Sequence, residues 1–374
     1  MIPRLNLAAL TVTLGLAATA AIAADRSSPS SLPRFAPMQA PELVMPAARP
    51  GGTDDSIRIA PKGAPAAAVD EIIDGLTAIK ASRGGKKMEV PLPEGLRLML
   101  RNPVKQGKVT PKPGGGKLVQ IKDTKEFPYS AMGLLGSGCS GTVVAQRFVL
   151  TAAFCLFDVK TQKFYDNLDF FPAINGKDMP VGSVKWKDVY IPKGFAKEGA
   201  LEYDFGLVVL DKPIGDEVGW MGFSHLEDFN LKQVNLTGYP WDGVPPQTSW
   251  QTVCTIDAAE ANFLFYKCPG EGKVLAAMTG SPVWYKGQQD SDWYVVGVHN
   301  YAQDDKQNSW WALRINQANA ETLLSWIDEA NGGTGGGGKT EEDDTGDEDT
   351  SEQDDSGDEQ DTSGDDPKCT CEDN

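Results

Sequence analysis

The sequence predicts a closed all-β barrel domain over residues 117–331. Strand-like runs rich in β-branched and aromatic residues recur between turn sequences, namely "GTVVAQRFVLTAA", "FGLVVLDKP", "QVNLTGYP", "WYVVGVHN" and "WWALRI". Such regularly spaced short strands are typical of β-barrels and sandwiches. The one strong helix pattern of this region lies at its end, so the helix is expected to pack on a finished β domain.

That C-terminal helix is predicted from "NAETLLSWIDEANGG". Asn319 is a suitable N-cap, and Leu323, Leu324 and Ile327 fall on one apolar face. Asn331-Gly332 is a suitable stop, because glycine adopts the left-handed conformation that ends many helices.

The first 23 residues are predicted to be a secretory signal peptide. Arg4 supplies a positive start, residues 5–20 form an apolar run without acids, and Ala21-Ile22-Ala23 is a small-x-small cleavage sequence. The run is too short to span a membrane comfortably. We therefore expect a secreted protein, extracellular or periplasmic, without membrane association.

Residues 24–116 are predicted to be a disordered or pro-like N-terminal region. Residues 25–65 are rich in Pro, Ala and Ser and show no sustained apolar periodicity. Residues 67–82 ("AAVDEIIDGLTAIKAS") form a single weak helix candidate, and basic sequence broken by Gly and Pro follows. A removable pro-segment and an unstructured spacer both fit this pattern.

The negative charge of the chain is concentrated in residues 332–374. The formal net charge is −17, and this segment holds 17 acids and two lysines. A glycine linker followed by so much like charge cannot collapse into a core. It is expected to act as a solvating tail or to bind cations, weakly Ca²⁺, or basic proteins. No other cofactor is expected, and nucleic acid is excluded as a partner because the tail repels phosphates.

Six cysteines fall into three near pairs, which an exported protein can oxidise. The simplest pairing is Cys139–Cys155 and Cys254–Cys268, each closing a short loop. Cys369 and Cys371 stand in the acidic tail, where they can pair with each other, pair with another chain or bind metal.

Five segments together resemble trypsin-like serine proteases, and in particular the secreted bacterial V8-like glutamyl endopeptidases. Residues 125–155 resemble the opening of that domain, and "LEYDFGLVVLDKP" resembles the strand that carries the catalytic Asp. "VNLTGYP", "MTGSPVW" and "YVVGVHN" resemble a later core strand, the nucleophile loop and one wall of the specificity pocket. The segments occur in the family's order over residues 117–330. The resemblance implies two packed six-stranded β-barrels with a cleft between them.

The resemblance also locates the catalytic positions, and most of them have changed. The Asp position is Asp204, but the His position is Phe154 and the nucleophile position is Thr279. The family's oxyanion-hole glycine is Ala277. A benzyl ring cannot accept a proton, and a hydroxyl without a base is a poor nucleophile. Without a histidine to orient, Asp204 is expected either to hydrogen-bond backbone groups or to be a relic of the triad.

Two histidines exist, and neither is a replacement base by position. His299 falls on the pocket strand, where the family uses a His to recognise a Glu side chain of the substrate. His225 is interpreted as a surface residue, and Ser281 as a structural serine. The sequence therefore predicts a pseudoprotease that binds an unidentified protein or peptide. The alternative is an active, Glu-specific endopeptidase with Thr279 as an atypical nucleophile.

Overall fold

A computed structural model describes six stretches of the chain, which are residues 66–101, 117–226, 231–270, 272–287, 292–304 and 309–333. The predicted signal peptide, the Pro-rich segment 25–65 and residues 334–374, with Cys369 and Cys371, lie outside the described residues.

The described residues are mostly β-structure. The helices are α1 Ala66–Leu76, α2 Glu94–Arg101, α3 Lys193–Glu198, α4 Gly215–Val218, α5 Gly272–Ala276 and α6 Gln317–Ala330. The strands are β1 Ala78–Ser82, β2 Lys87–Val90, β3 Val119–Gln120, β4 Met132–Leu135, β5 Ser140–Ala145, β6 Phe148–Thr151, β7 Phe157–Asp158, β8 Lys163–Phe164, β9 Phe170–Pro172, β10 Trp186–Pro192, β11 Gly206–Leu210, β12 Gly222–Phe223, β13 Gln233–Gly238, β14 Trp250–Ala259, β15 Phe263–Lys267, β16 Pro282–Lys286, β17 Trp293–Asp304 and β18 Ser309–Arg314.

The first sheet runs in the order β2-β1-β10-β11-β6-β5-β4-β9. Its last strand returns towards β10, because Phe170 of β9 and Val184 exchange both backbone hydrogen bonds at 2.8 Å. The strands from β10 to β9 therefore curl into a barrel filled with large apolar side chains.

The second sheet is a closed six-stranded barrel. Its order is β17-β16-β13-β14-β15-β18, and pairing of β17 with β18 closes the ring. Residues alternate between core and surface along β14, where Thr252, Cys254 and Ile256 are buried. This period of two is what an amphipathic strand requires. The predicted all-β, trypsin-like fold with a C-terminal helix is confirmed.

Helix α6 packs on the first barrel, with two details that differ from the sequence prediction. The N-cap is Asn316, whose side chain accepts a hydrogen bond from the backbone N–H of Asn319. Leu323 is buried but Leu324 is 49% exposed, because Trp326 instead completes the inner face. The Trp326 ring stacks on Phe205 at a centroid distance of 5.3 Å. In the described part of the chain, no helix is long and apolar enough to cross a membrane.

Residues 66–101, which lie within the predicted N-terminal region 24–116, form the helices α1 and α2 and the strands β1 and β2. The helix predicted over 67–82 ends at Leu76, and β1 follows and pairs with β10 over five residues, from Ala78 opposite Pro192 to Ser82 opposite Asp188. Strand β1 forms because it pairs with β10, more than 100 residues later in the chain, so the local sequence pattern does not predict it. The pro-segment hypothesis for 24–116 stays a prediction.

Candidate active site

Phe154 lies in a single turn of 3-10 helix, Ala153–Cys155, directly after β6. Its side chain is 8% exposed and belongs to the core of the first barrel. The predicted Cys139–Cys155 disulfide is formed, with an S–S distance of 2.05 Å, and anchors this turn to the start of β5. The position that carries the general base in the family therefore holds a packed hydrocarbon ring.

Asp204 stands at the end of another 3-10 turn, immediately before β11, and is 1% exposed. Its Oδ1 accepts the backbone N–H of Phe154 at 2.8 Å, and the Asn300 side-chain amide donates to Oδ2. Burial raises the pKa of this carboxyl to about 6, although the hydrogen bonds from Phe154, Asn300 and Ala153 oppose the shift. The carboxyl group binds the backbone of Phe154, and through Asn300 it also links the Phe154 turn to β17.

Thr279 lies on the loop between α5 and β16 and is fully buried. Its hydroxyl donates to the Ala276 carbonyl at 3.4 Å, a long hydrogen bond. The loop is held against the first barrel because the Ser140 N–H donates to the Thr279 carbonyl at 3.0 Å. Gly280 has a φ of +82°, and a Cβ there would lie 2.4 Å from the Ser140 carbonyl oxygen.

The oxyanion-hole position, Ala277, continues the turn of α5. Its backbone N–H donates to the Lys273 carbonyl at 3.2 Å, and the next N–H, of Met278, donates to Leu275 at 3.1 Å. An oxyanion hole needs N–H groups that point at the reacting oxygen. In this structure the Ala277 N–H is directed at the chain itself.

His299 lies on β17 and is completely buried. Its Nε2 is 2.9 Å from the Leu275 carbonyl, which can only accept, so Nε2 carries the hydrogen. Its Nδ1 then accepts from the Tyr266 hydroxyl at 2.5 Å. Burial lowers the pKa of the imidazole to about 4, so it is neutral at pH 7. Recognition of an acidic substrate by His299 stays a prediction, since both nitrogens are bound internally.

The two other residues considered for catalysis are His225 and Ser281. His225 is half-buried just after β12. The Ser281 hydroxyl is buried and has no hydrogen-bond partner among the described residues. The second predicted disulfide, Cys254–Cys268, is formed with an S–S distance of 2.03 Å.

Sequence reasoning missed two residues of this site, Asn300 and Tyr266. Asn300 directly follows His299 on a mostly apolar strand. A buried side-chain amide needs hydrogen-bond partners, and this requirement was the signal that could have identified it. Tyr266 gave no such signal, because tyrosine is common on strands and only the fold brings its hydroxyl to His299.

Nothing in the described ranges adds a metal centre. No group of three or more His, Cys, Asp or Glu side chains there is arranged to hold a metal ion.

Comparisons with known proteins agree on the kind of domain. Residues 119–320, more than half of the chain, match the family model described as Trypsin. The glutamyl endopeptidase of Bacillus licheniformis is 31% identical over 175 residues, covering 46% of this chain and 54% of that protein. The extracellular metalloprotease of Bacillus subtilis is 26% identical over 197 residues, covering 50% of this chain and 61% of that protein. The chain thus spans less than two thirds of the length of these relatives.

Among solved structures, a Glu endopeptidase in complex with MPD is similar, with a TM-score of 0.48 and 21% identity. The similarity covers 56% of this chain and 96% of that one.

Proposed function

The chain belongs to the trypsin family, and on that basis we propose that it is a secreted, non-catalytic serine protease homologue that acts by binding a protein or peptide. The observation that carries the proposal is the contact between Asp204 and Phe154. In a working triad the Asp orients a histidine that takes the nucleophile's proton. Here the residue that contacts Asp204 from the histidine position is Phe154, whose ring has no nitrogen to accept a proton, so the hydroxyl of Thr279 has no base.

The other catalytic groups support the same proposal. The Thr279 hydroxyl is directed at the Ala276 carbonyl, and the Ala277 N–H at the Lys273 carbonyl. Restoring a histidine alone would therefore leave two further parts of the machinery unassembled. In a well-studied serine protease, loss of the Ser or the His alone costs about 10⁶ in turnover.

Secretion is part of the proposal. The two disulfides, Cys139–Cys155 and Cys254–Cys268, are formed in the structure, and such bonds persist in oxidising compartments. The signal-peptide pattern of residues 1–23 points in the same direction.

The experiment that tests the proposal is a peptidase assay on the purified protein. Peptides with Glu or Asp before the scissile bond are incubated with the wild type and with Thr279→Ala, and cleavage is followed by mass spectrometry. We expect both proteins to give the same background. Cleavage by the wild type that is lost in Thr279→Ala would overturn the proposal and favour an active peptidase with a threonine nucleophile.

A set of reconstituted variants sharpens the test. Phe154→His with Thr279→Ser restores two side chains but leaves Ala277 in its helical turn. We expect this double variant to remain inactive and not to react with a fluorophosphonate probe. Reactivity of the double variant would show that the α5 turn opens readily and that the oxyanion argument is wrong.

The acidic tail, residues 332–374, is proposed to bind cations or basic proteins through its carboxylates. We expect the isolated segment to become more compact as Ca²⁺ screens its like charges. An unchanged hydrodynamic radius across millimolar Ca²⁺ would contradict cation binding.

A further inference from the structure

A cavity of about 340 Å³ lies between the N-terminal hairpin β1–β2 and the first barrel. Strand residues Ile79 and Met88 line one side, while Phe157 of β7 and Ala196 of α3 line the other. The hairpin precedes residue 119, where the match to the family model begins. The cavity is therefore built by this chain's own N-terminal extension against the family domain.

Among the described strands, the strand beside the cavity forms an edge of its sheet. β2 is the terminal strand of the first sheet, and β1 is its one partner among the described strands. Lys87, Met88 and Glu89 of β2 are exposed, and the apolar Met88 side chain is 57% exposed. An edge strand presents unpaired backbone N–H and C=O groups, which an extended peptide can pair with as an added strand.

Positive charge surrounds the mouth of the cavity. The Lys87 ammonium donates to the Gln162 carbonyl at 2.7 Å and lies 5.3 Å from the centroid of the Phe157 ring. Neither Lys87 nor the adjacent Lys86 forms an ion pair within the part of the chain that the structure describes. Lys197, on the facing helix α3, is 52% exposed although it pairs with Asp74.

The acids near the cavity are already neutralised. Lys193 pairs with Asp74 at 2.8 Å and with Glu89 at 3.1 Å. Since these carboxylates are shared with Lys193 and Lys197, they leave the charge of Lys87 uncompensated. A carboxylate that enters the cavity would therefore contact the Lys87 ammonium, which lies over the Phe157 ring.

We propose that β2 and this cavity bind an extended acidic peptide of a partner protein, which adds to the sheet as a further strand. In this complex an apolar side chain of the peptide enters the cavity, and the carboxylate two residues along, which points to the same face of the added strand, binds Lys87. The inference rests on the proposed binding function and names the surface and the class of partner.

The test uses the full chain carrying Thr279→Ala, so that any hydrolysis is removed. The probe is a fluorescein-labelled octapeptide of the repeat Thr-Leu-Thr-Glu, in which leucine and glutamate fall on the same face of an extended strand, and binding is followed by fluorescence anisotropy. Lys87→Glu is expected to weaken binding about tenfold or more, because it replaces an attractive charge with a repulsive one. Lys212→Glu, an exposed lysine after β11, is the matched control and should change Kd by less than about twofold.

Hydrogen exchange gives a second readout of the same complex. The peptide is expected to slow exchange of the amides of residues 87–90, and an octapeptide with prolines in place of two leucines should not. Lys197→Glu on α3 repeats the charge test in a different element, should Lys87→Glu fail to fold.

Equal binding by Lys87→Glu and Lys212→Glu, or protection confined to other strands, would overturn the inference. The outcome is distinguishable from that of the peptidase assay. If the wild type cleaves the peptide, the non-catalytic proposal fails, whereas binding to β2 is still judged on the Thr279→Ala protein.

Discussion

Replacing Asp204 with asparagine is expected to reduce the dependence of stability on pH between pH 4 and pH 8. The carboxyl is 1% exposed, and the residue at the neighbouring histidine position is Phe154, which supplies no positive charge. Its pKa is raised from 3.8 to about 6, mainly by burial. Asparagine keeps the shape of the side chain and never ionises. The side-chain amide introduced at position 204 can donate a hydrogen bond to Asn300 if the Asn300 amide turns by 180°, because the Asn300 oxygen then faces that position and accepts.

The magnitude follows from the two pKa values. A group whose pKa is raised on folding stabilises the folded state below its unfolded pKa, and this contribution is lost as the pH rises through the folded value. A difference of about two units corresponds to about 3 kcal/mol, of which about 2–3 kcal/mol falls between pH 4 and pH 8. The wild type should lose that much relative to Asp204→Asn over this range.

The assay is urea denaturation of both proteins at pH 4 and pH 8. Other titrating groups do not confuse the comparison, because Asp74 and Asp158, whose pKa values are lowered, are present in both proteins. A free-energy difference between the two proteins that is constant with pH, or that grows in favour of the wild type at pH 8, would refute the reasoning. It would mean that the hydrogen bonds to Asp204 outweigh its burial.

Three further predictions concern the fold, and each is checked by denaturation. Leu100→Ala in α2 should cost about 2–5 kcal/mol because Leu100 is 2% exposed, whereas Leu98→Ala, at 52% exposure in the same helix, should cost less than about 0.5 kcal/mol. Equal effects would show that residues 66–101 are not part of the core. Gly280→Ala should cost about 3 kcal/mol or prevent folding, because it combines a φ of +82° with a contact of 2.4 Å, and an unchanged melting temperature would contradict this geometry. Replacing Cys139 and Cys155 with alanine should cost about 3 kcal/mol, as expected for a closed loop of this length, and a negligible loss would show that the loop is already ordered in the unfolded chain.

The parts of the structure that the sequence predicts well are those fixed by local pattern. Each of the five strand-like runs contains a strand, because short runs of β-branched and aromatic residues between turn sequences are typical of buried strands. The two disulfides follow from short spacing. The positions of Phe154, Asp204 and Thr279 are assigned from motifs in a fixed order, and the structure places the first two in contact through the hydrogen bond from the Phe154 N–H to Asp204.

The parts that the sequence does not predict depend on contacts between distant residues. The segment "AIKAS", residues 78–82, continues a helical pattern in the sequence, but it forms strand β1 because it pairs with β10. The Ala277 N–H is hydrogen-bonded to the Lys273 carbonyl in the last turn of α5. The position of this turn depends on His299 of a distant strand, whose Nε2 donates to the Leu275 carbonyl. Tertiary contacts override local propensity at both places.

The pairing of β1 with β10 also constrains the order in which the chain can fold. Ala78 and Pro192 are joined in one ladder, and Lys80 pairs with Glu329 at the end of α6, 249 residues later. In a chain that emerges from its N-terminus, β1 therefore has no ladder partner until β10 has been synthesised, and its ion pair with Glu329 forms only with the last helix. Contacts of such long sequence separation slow folding and leave strand edges open to wrong partners meanwhile. The last helix is thus where assembly is completed, because the Lys80–Glu329 ion pair can form only after the whole domain has been synthesised.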